Sequence, residues 1–519
     1  MSKALLSFDI SAIKSYIFAT DRLREIRGAS SLLDELNRIW IPDAISKIAP
    51  ESEVIFAGGG SGLLVLDESH LADAIPLIER ICRERAEAVQ IHLAAISIPH
   101  EFENVISTEQ KNRLGMRLRL AKGETPALVA TPTHSFLLPC ESCGDLYATS
   151  ARVDPDGRER AVCRSCDLKI ERDRQIKSGI NNDSWPSFWE RLRQDQRVSP
   201  VLAGKRRADN FDELTAQGSP EGILALLYAD GDGLGKLFGG TGTLEEMRST
   251  SRAIEDSLIE ALVESIAGPL RVGGTEKILP FDVLLLGGDD LVIATTADRV
   301  FGVAQTLVNS FHSYATGRLG RNTSISIGIS VAHSHYPLHT LLELAEGALR
   351  HAKRERFYRL RKNPERELPG LISYILVGNA SHSDFESYER EELYQQAANR
   401  QAAVRRTFRP FTPDELDQML EITKEASKLP QNKLETLRST AYMNHPQAIL
   451  EGRFVLSRLR ERQRAVANSV MAQLAVGRPV EFPWILNSDE LINPWAEIVE
   501  LLDFVKTAAG QEADYAAKS

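Results

Sequence analysis

Apolar positions along the first hundred residues fall into six blocks of changing period. A short apolar run, ALLSFDI, is followed by helical spacing from about Ser11 to Ser46. Two further apolar runs, EVIFAG and LLVLD, flank Gly58, Gly59, Gly60 and Gly62, where glycine supplies positive φ cheaply and a hairpin is expected. Helical spacing returns from about Leu71 to Leu93, and AISIP closes the series. The predicted order is β-α-β-β-α-β. From Glu221 the same order recurs: ILALLYAD, a helix over about Leu244 to Ala267, FDVLLL, a turn from Gly287 to Asp290, LVIATT, a helix over about Arg299 to Thr316, and SISIGISVAH. A further helix, about Leu338 to Arg356, closes the second copy. The two copies share order and a glycine hairpin rather than residue identities, which predicts an α+β protein with two ferredoxin-like palm modules.

Between the copies, helical spacing runs from about Glu101 to Leu120 and leads through a Thr- and Pro-containing loop to two cysteine pairs. The stretch from about Arg197 to Pro220 lacks periodicity and is expected to be a linker. After LISYILV, FTPDELDQMLEITKEASKL and LETLRSTAYM carry helical spacing, with Thr412 as N-cap before Pro413. The expected domains are a first palm over 1–100, a helical linker with a zinc ribbon over 101–196, a second palm over 221–380 and an all-helical domain over 383–519.

A length of 519 residues, 43% of them apolar, agrees with three or four domains. No apolar run reaches the roughly eighteen residues of a membrane span, and MSKALLSFDI lacks the order of a signal peptide, so the expectation is a cytoplasmic protein that takes no part in membranes. The net charge of −10 argues against gripping naked nucleic acid by counterion release alone. Partners are expected to present any nucleic acid.

In the second copy, strand one ends in Asp230-Gly231-Asp232-Gly233-Leu234-Gly235-Lys236, and the hairpin carries Gly287-Gly288-Asp289-Asp290. Strands one and three of this fold lie side by side, so the two carboxylate segments are expected to converge. Oxygen ligands suit a hard cation, magnesium or manganese, completed by water and substrate phosphates. Two such ions can activate a 3′-hydroxyl and stabilise departing pyrophosphate. Asp230 and Asp289 are read as shared metal ligands, Asp290 stands beside them, and Asp232 is a further candidate. Gly231, Gly233 and Gly235 leave backbone N–H groups open to a triphosphate, with Lys236 at the same edge and Lys353 in the closing helix as a second cation. Taken singly, each part has a plainer reading: Gly-Gly-Asp-Asp as a turn, Lys353 as a solvated helix lysine. Asp-Gly-Asp-Gly could open a calcium loop, but the later glutamate of an EF-hand is missing.

Cys140, Cys143, Cys163 and Cys166 have the spacing of a four-thiolate zinc ribbon. With no open position the zinc is structural, and it would fold an insert that has no core of its own. Cys82 is read as a buried helix residue.

These segments together resemble the large polymerase/cyclase subunit of type III CRISPR effector complexes, and more distantly GGDEF diguanylate cyclases. The resemblance is carried by FDISAIKSYIFATDRLREIRGASSLLDEL, PTHSFLLPCESCGDLYA with CRSC, YADGDGLGKLF, LLLGGDDLVIA and FRPFTPDELDQMLEITKEASKLPQNKLETLR, in the family's order. It implies Mg-dependent conversion of ATP to cyclic oligoadenylate messengers when target RNA is bound, with other effector subunits and guide RNA as partners. The family's metal-binding catalytic aspartates fall on Asp289 and Asp290, and the strand-one aspartate on Asp230. The first-palm turn, Ala57 to Gly62, has no carboxylate and is expected to hold the acceptor nucleotide. No HD-type nuclease segment or adjacent His-Asp pair occurs in this sequence, so DNA cleavage by this chain is not expected. Two rival readings stand beside the cyclase: a non-catalytic scaffold that binds the RNA complex, and a cyclase with a different cyclic or linear product. Clustered carboxylates, which repel one another without metal, speak against the scaffold.

Overall fold

The computed structural model describes residues 2–98, 104–124, 136–154, 157–178, 188–271, 277–364, 366–378, 382, 384–395, 403–487 and 490–505. The first module is β1 (Lys3–Ser11), α1 (Ile13–Ile17), α2 (Leu23–Glu35), a π turn (Leu36–Trp40), α3 (Ile41–Ile48), β2 (Glu53–Gly58), β3 (Ser61–Asp67), α4 (Leu71–Arg85) and β4 (Gln90–Ile98). Its sheet has the order β2-β3-β1-β4, with β1 antiparallel to both β3 and β4. β1 takes the centre because both its faces are apolar: Ala4, Leu5, Leu6 and Phe8 are fully buried. The single helix expected from Ser11 to Ser46 is interrupted. The Thr20 hydroxyl accepts a hydrogen bond from the Arg22 N–H at 2.9 Å, a local bond that competes with helix continuation between α1 and α2.

The middle region contains α5 (Thr108–Glu124), the hairpin β5 (Ser150–Val153) and β6 (Glu159–Val162), α6 (Arg164–Ser178), α7 (Phe188–Gln194), α8 (Ser199–Leu202) and α9 (Phe211–Thr215). The first residues of the helix expected from Glu101, through 103, lie outside the described residues. The stretch read as a linker is packed: Val198, Leu202, Ala208 and Leu214 are buried, and Arg207 pairs with Asp282. Its polar composition hides this packing, because one of its cations, Arg207, answers the buried Asp282 while Arg197 and Arg206 pair at the surface.

The second module is β7 (Ile223–Gly231), α10 (Leu234–Gly239), α11 (Leu244–Ala267), β8 (Phe281–Gly287), β9 (Asp290–Thr296), α12 (Ala297–Leu319), β10 (Ile325–His333), α13 (Leu338–Lys362) and β11 (Ile372–Leu376). Its sheet order is β11-β10-β7-β9-β8, so strand one lies beside the second strand of the hairpin. β11 adds to β10 in parallel, with α13 as the connection. α11 starts on a capping box, the Thr243 side chain accepting from the Glu246 N–H and the Glu246 side chain from the Thr243 N–H.

The C-terminal region corrects the all-helical expectation. It holds α14 (Phe385–Tyr388), α15 (Pro413–Ala426), α16 (Gln431–Thr440), α17 (His445–Arg458), α18 (Glu461–Ala475) and helical residues 495–505. It also holds a five-stranded sheet, β12-β13-β16-β15-β14. These strands, β12 (Tyr394–Gln395), β13 (Ala403–Arg405), β14 (Val480–Glu481), β15 (Trp484–Asn487) and β16 (Glu490–Ile492), have two to four residues each. That is too short for an alternation to show. Thr412 and Glu415 form the cap of α15. Residues 488 and 489 and the tail from 506 lie outside the described residues.

By internal contacts the chain divides into two units: Met1–Glu213 with Ala229–Ile293 and Ser313–Thr323, and Leu214–Tyr228 with Ala294–His312 and Ser324–Ser519. The first unit contains the whole first sheet, the cysteine pairs and both glycine hairpins. The second contains β10, α13, β11 and the C-terminal elements, built around Arg409, which donates to the Tyr374 carbonyl at 2.8 Å and pairs with Glu497 at 3.0 Å. No helix among the described residues is long and apolar enough to cross a membrane.

Candidate functional site

Within the first unit the two glycine hairpins meet backbone to backbone. A Cβ on Gly287 would lie 2.7 Å from the Gly59 Cα, and one on Gly59 would lie 3.0 Å from the Gly287 carbonyl carbon. Gly59 (φ 60°) and Gly288 (φ 62°) also occupy the left-handed region that glycine alone adopts at no cost. Side-chain-free residues permit this approach, so Gly59, Gly287 and Gly288 make the contact as well as the turns.

The contact brings the carboxylates to the junction. Asp230 is the penultimate residue of β7, Asp290 opens β9, and Asp289 stands at the turn before it. A Cβ on Gly231 would lie 3.0 Å from Asp289 Oδ2, so the end of β7 and the turn are in direct contact. Asp289 is pushed up to about 7 by burial, then by the charges of Asp230 and Asp290 and a hydrogen bond with Asp230. The three do not form a closed cage. Among the described residues, only the four cysteines bring three or more candidate ligand atoms all within 4.8 Å of one another. Carboxylates that crowd without closing a cage suit magnesium, which takes one or two of them and leaves positions for water and phosphate.

Two cavities of the same unit adjoin these residues. The first, of about 380 Å³, is bounded by Gly59, Gly60, Gly287 and Asp290 together with residues of β1, α1 and α2. The second, of about 200 Å³, is lined by Asp232, Gly233, Leu234 and Lys236 from the turn into α10 and by Arg321 and Asn322 from the loop after α12. Gly235, in the first turn of α10, is exposed. Arg321 and Asn322 escaped the sequence reading because an Arg-Asn pair in a loop carries no spacing signal. Lys353 lies in α13 of the second unit and is half-buried.

The first hairpin is not wholly without acid nearby. Asp9 of β1 lies opposite Ser61 in register, but Lys122 Nζ of α5 sits 2.7 Å from it. A cation thus already answers the carboxylate of the first module.

The sulfurs of Cys140, Cys143, Cys163 and Cys166 converge in a small apolar cluster with Val162, Leu146 and Ile170. Cys143 Sγ lies 3.9 Å from Cys163 Sγ. The Ser142 and Cys166 N–H groups donate to Cys140 Sγ and Cys163 Sγ, both at 3.4 Å, as expected where backbone amides support thiolates. Hydrogen bonds from Cys163 and Cys166 hold the Cys143 thiol far below its usual range, while Cys163 is pushed up to about 12 by the same bond. This donor set fits a soft, tetrahedral metal site. The module is tied to α2 and β8 by a buried cation: Arg27 of α2 donates to Asp173 of α6 at 2.8 Å and to Asp282 of β8 at 3.0 Å.

The fold and the junction of hairpins define a palm-domain protein, and residues 223–360 match the family model described as Cas10/Cmr2, second palm domain. The resemblance to the large subunit of type III CRISPR effector complexes is borne out by the proteins the chain is similar to. It is 21% identical over 432 residues to the CRISPR system single-strand-specific deoxyribonuclease Cas10/Csm1 (subtype III-A) of Thermococcus onnurineus, a match covering 68% of this chain and 54% of the relative. The corresponding protein of Enterococcus italicus is 22% identical, with 64% and 50% covered. The chain thus spans about half the length of the curated relatives it matches. Among solved structures, the Csm1-Csm4 cassette in complex with pppApA is similar over 98% of this chain and 69% of that one, with a TM-score of 0.57 and 16% identity. The same cassette in complex with cA4 gives a TM-score of 0.56, with 15% identity and 98% and 70% covered. At these identities the likeness is one of fold.

Proposed function

We propose that this chain is a Mg-dependent nucleotidyltransferase that converts ATP to cyclic oligoadenylate within a type III CRISPR effector complex. The observation that carries the reading is Asp289, crowded by Asp230 and Asp290 at the point where the second-palm hairpin meets the first. Solved structures of similar fold hold cA4, pppApA or AMPPNP, which supports ATP and its oligomers as the ligands.

In this reading both modules are ferredoxin-like palms and their roles differ. Asp230, Asp289 and Asp290 hold magnesium, which when bound lowers the cost of ionising a 3′-hydroxyl and of charging the departing pyrophosphate. The turn from Gly231 to Lys236, with Arg321, cradles the donor triphosphate by backbone N–H groups and cations. The cavity beside Gly59 and Gly60 holds the acceptor nucleotide, so that its 3′-hydroxyl faces the α-phosphorus. The new P–O bond forms there as the bond to the β-phosphate breaks. The cysteine cluster is a structural zinc ribbon, and its ties through Arg27 to α2 and β8 brace both hairpins. A Csm4-like subunit, guide RNA and target RNA are the proposed partners, in the cytoplasm.

The test is product formation. Purified chain, alone and assembled with a Csm4-like subunit and guide and target RNA, is incubated with Mg and each labelled nucleotide, and products are resolved by mass. Cyclic oligoadenylate from ATP, lost in Asp289→Ala/Asp290→Ala, is the expected result. No product under any condition leaves a nucleotide-binding scaffold as the better reading, and synthesis surviving the double substitution defeats the metal assignment.

A further inference from the structure

The cavity of about 200 Å³ owes one wall to α10, which supplies Leu234, Lys236 and Leu237 directly after Asp232 and Gly233. Little in α10 itself keeps that wall in place. The helix has six residues, too few to be stable alone, and Gly235 and Gly239 within it disfavour helix further. Gly240 and Gly242 follow at once, so the chain leaving α10 is as free as the helix is short. Of the α10 residues, Leu234 and Leu237 alone are buried.

The anchor comes from another helix. Lys111 of α5 reaches the end of α10, where carbonyls of the last turn have no partner within the helix. Its ammonium donates to the Phe238 and Gly239 carbonyls, both at 3.2 Å, to the Thr241 hydroxyl at 3.2 Å and to the Thr241 carbonyl. Three N–H donors thus meet four oxygens of one glycine-rich segment, and hydrogen bonds from a charged donor are the strong ones. Backbone bonds continue the seam: the Ile106 N–H donates to the Gly242 carbonyl at 3.0 Å, and the Leu244 N–H to the Asn104 carbonyl at 3.1 Å. All of these residues belong to the first unit, as do those lining the cavity.

We propose that Lys111 is a positioning residue for the triphosphate: by tethering the far end of α10, it holds Gly233 and Lys236 at the cavity in the geometry that receives the phosphates. It touches neither substrate nor metal and has no part in bond making. The inference rests on the reading of this cavity as the triphosphate pocket. Its consequence is selective. Loosening α10 weakens a ligand that binds through its outer phosphates, and leaves alone both a ligand without them and the metal held by Asp230, Asp289 and Asp290.

Equilibrium binding of labelled α,β-methylene-ATP with Mg, which cannot release pyrophosphate, tests this on the full chain, with AMP as competitor. Wild type is expected to bind the triphosphate at least about tenfold more tightly than AMP, since charge-assisted bonds to two further phosphates are at stake. Lys111→Met should cut that preference about fivefold by weakening the triphosphate, with AMP binding changed less than about twofold. Lys111→Arg, which keeps the charge and its donors, should recover most of the preference. Amide hydrogen exchange should quicken over residues 233–243 in Lys111→Met and stay unchanged in β1 and β3. Equal weakening of both ligands makes the lysine merely structural and overturns the inference. A wild-type preference near one removes the pocket reading and the inference with it, whereas a preference that survives Lys111→Met sinks the inference alone. If Lys111→Met does not fold, Lys111→Gln, uncharged and with two donors, carries the same expectation.

Discussion

Asp289 titrates near neutrality because burial and the neighbouring Asp230 and Asp290 charges disfavour its ionised form. Its folded value, about 7, lies above the unfolded 3.8, so the stability it contributes is complete below about pH 4 and is lost as pH rises through 7. Metal-free protein should therefore lose melting temperature over that window, Asp289→Asn should flatten the loss, and Mg should restore stability on the alkaline side. A melting series across pH with and without Mg checks all three. Mg affinity should correspondingly weaken below pH 7, as the proton competes for the carboxylate. The aspartates were legible in the sequence because each lies within a compact Gly-Asp string at a strand end. Arg321 was not. A cation in a loop carries no spacing signal, and only the cavity it shares with Asp232 and Lys236 marks it.

At the scale of elements, the hairpin contact is the most exposed to test. Gly287→Ala places a methyl 2.7 Å from the Gly59 Cα, where backbone rather than a flexible side chain must yield. It should cost about 1–3 kcal/mol and reduce synthesis at least tenfold with the fold retained, as read by denaturant melting and product assay together. Arg27→Met leaves Asp173 and Asp282 buried without their common cation, for an expected loss of about 3–5 kcal/mol by chemical denaturation. α11, with its capping box and apolar stripe, could be read from spacing end to end, whereas the helix expected to run to about Leu93 stops at Arg85 and Gln90 to Leu93 pair with β1 as the start of β4. The sheet of β12 to β16 could not, since two to four residues carry no period. Nor could the break between α1 and α2, which depends on the Thr20 hydroxyl.

Over the whole molecule the duplication was legible as a repeated order of elements, yet the meeting of the two hairpins was not. Both glycine runs already suffice as turns, so nothing local says that they touch. The cysteine cluster makes a separate prediction. Protein never exposed to chelator should contain close to one equivalent of zinc, and Cys163→Ser should lose the metal and lower the melting temperature of the whole chain. Less than about half an equivalent would count against the ribbon. The central claim, that Asp230, Asp289 and Asp290 hold the metal on which a nucleotide is placed, is tested most directly by anomalous diffraction from crystals grown with manganese and a non-hydrolysable ATP analogue. The account predicts a manganese peak at bonding distance from Asp289 and Asp230 oxygens, with the triphosphate against the Gly231–Lys236 turn. A nucleotide bound with no metal at these aspartates, or with its metal at Asp9 of the first palm, would contradict it.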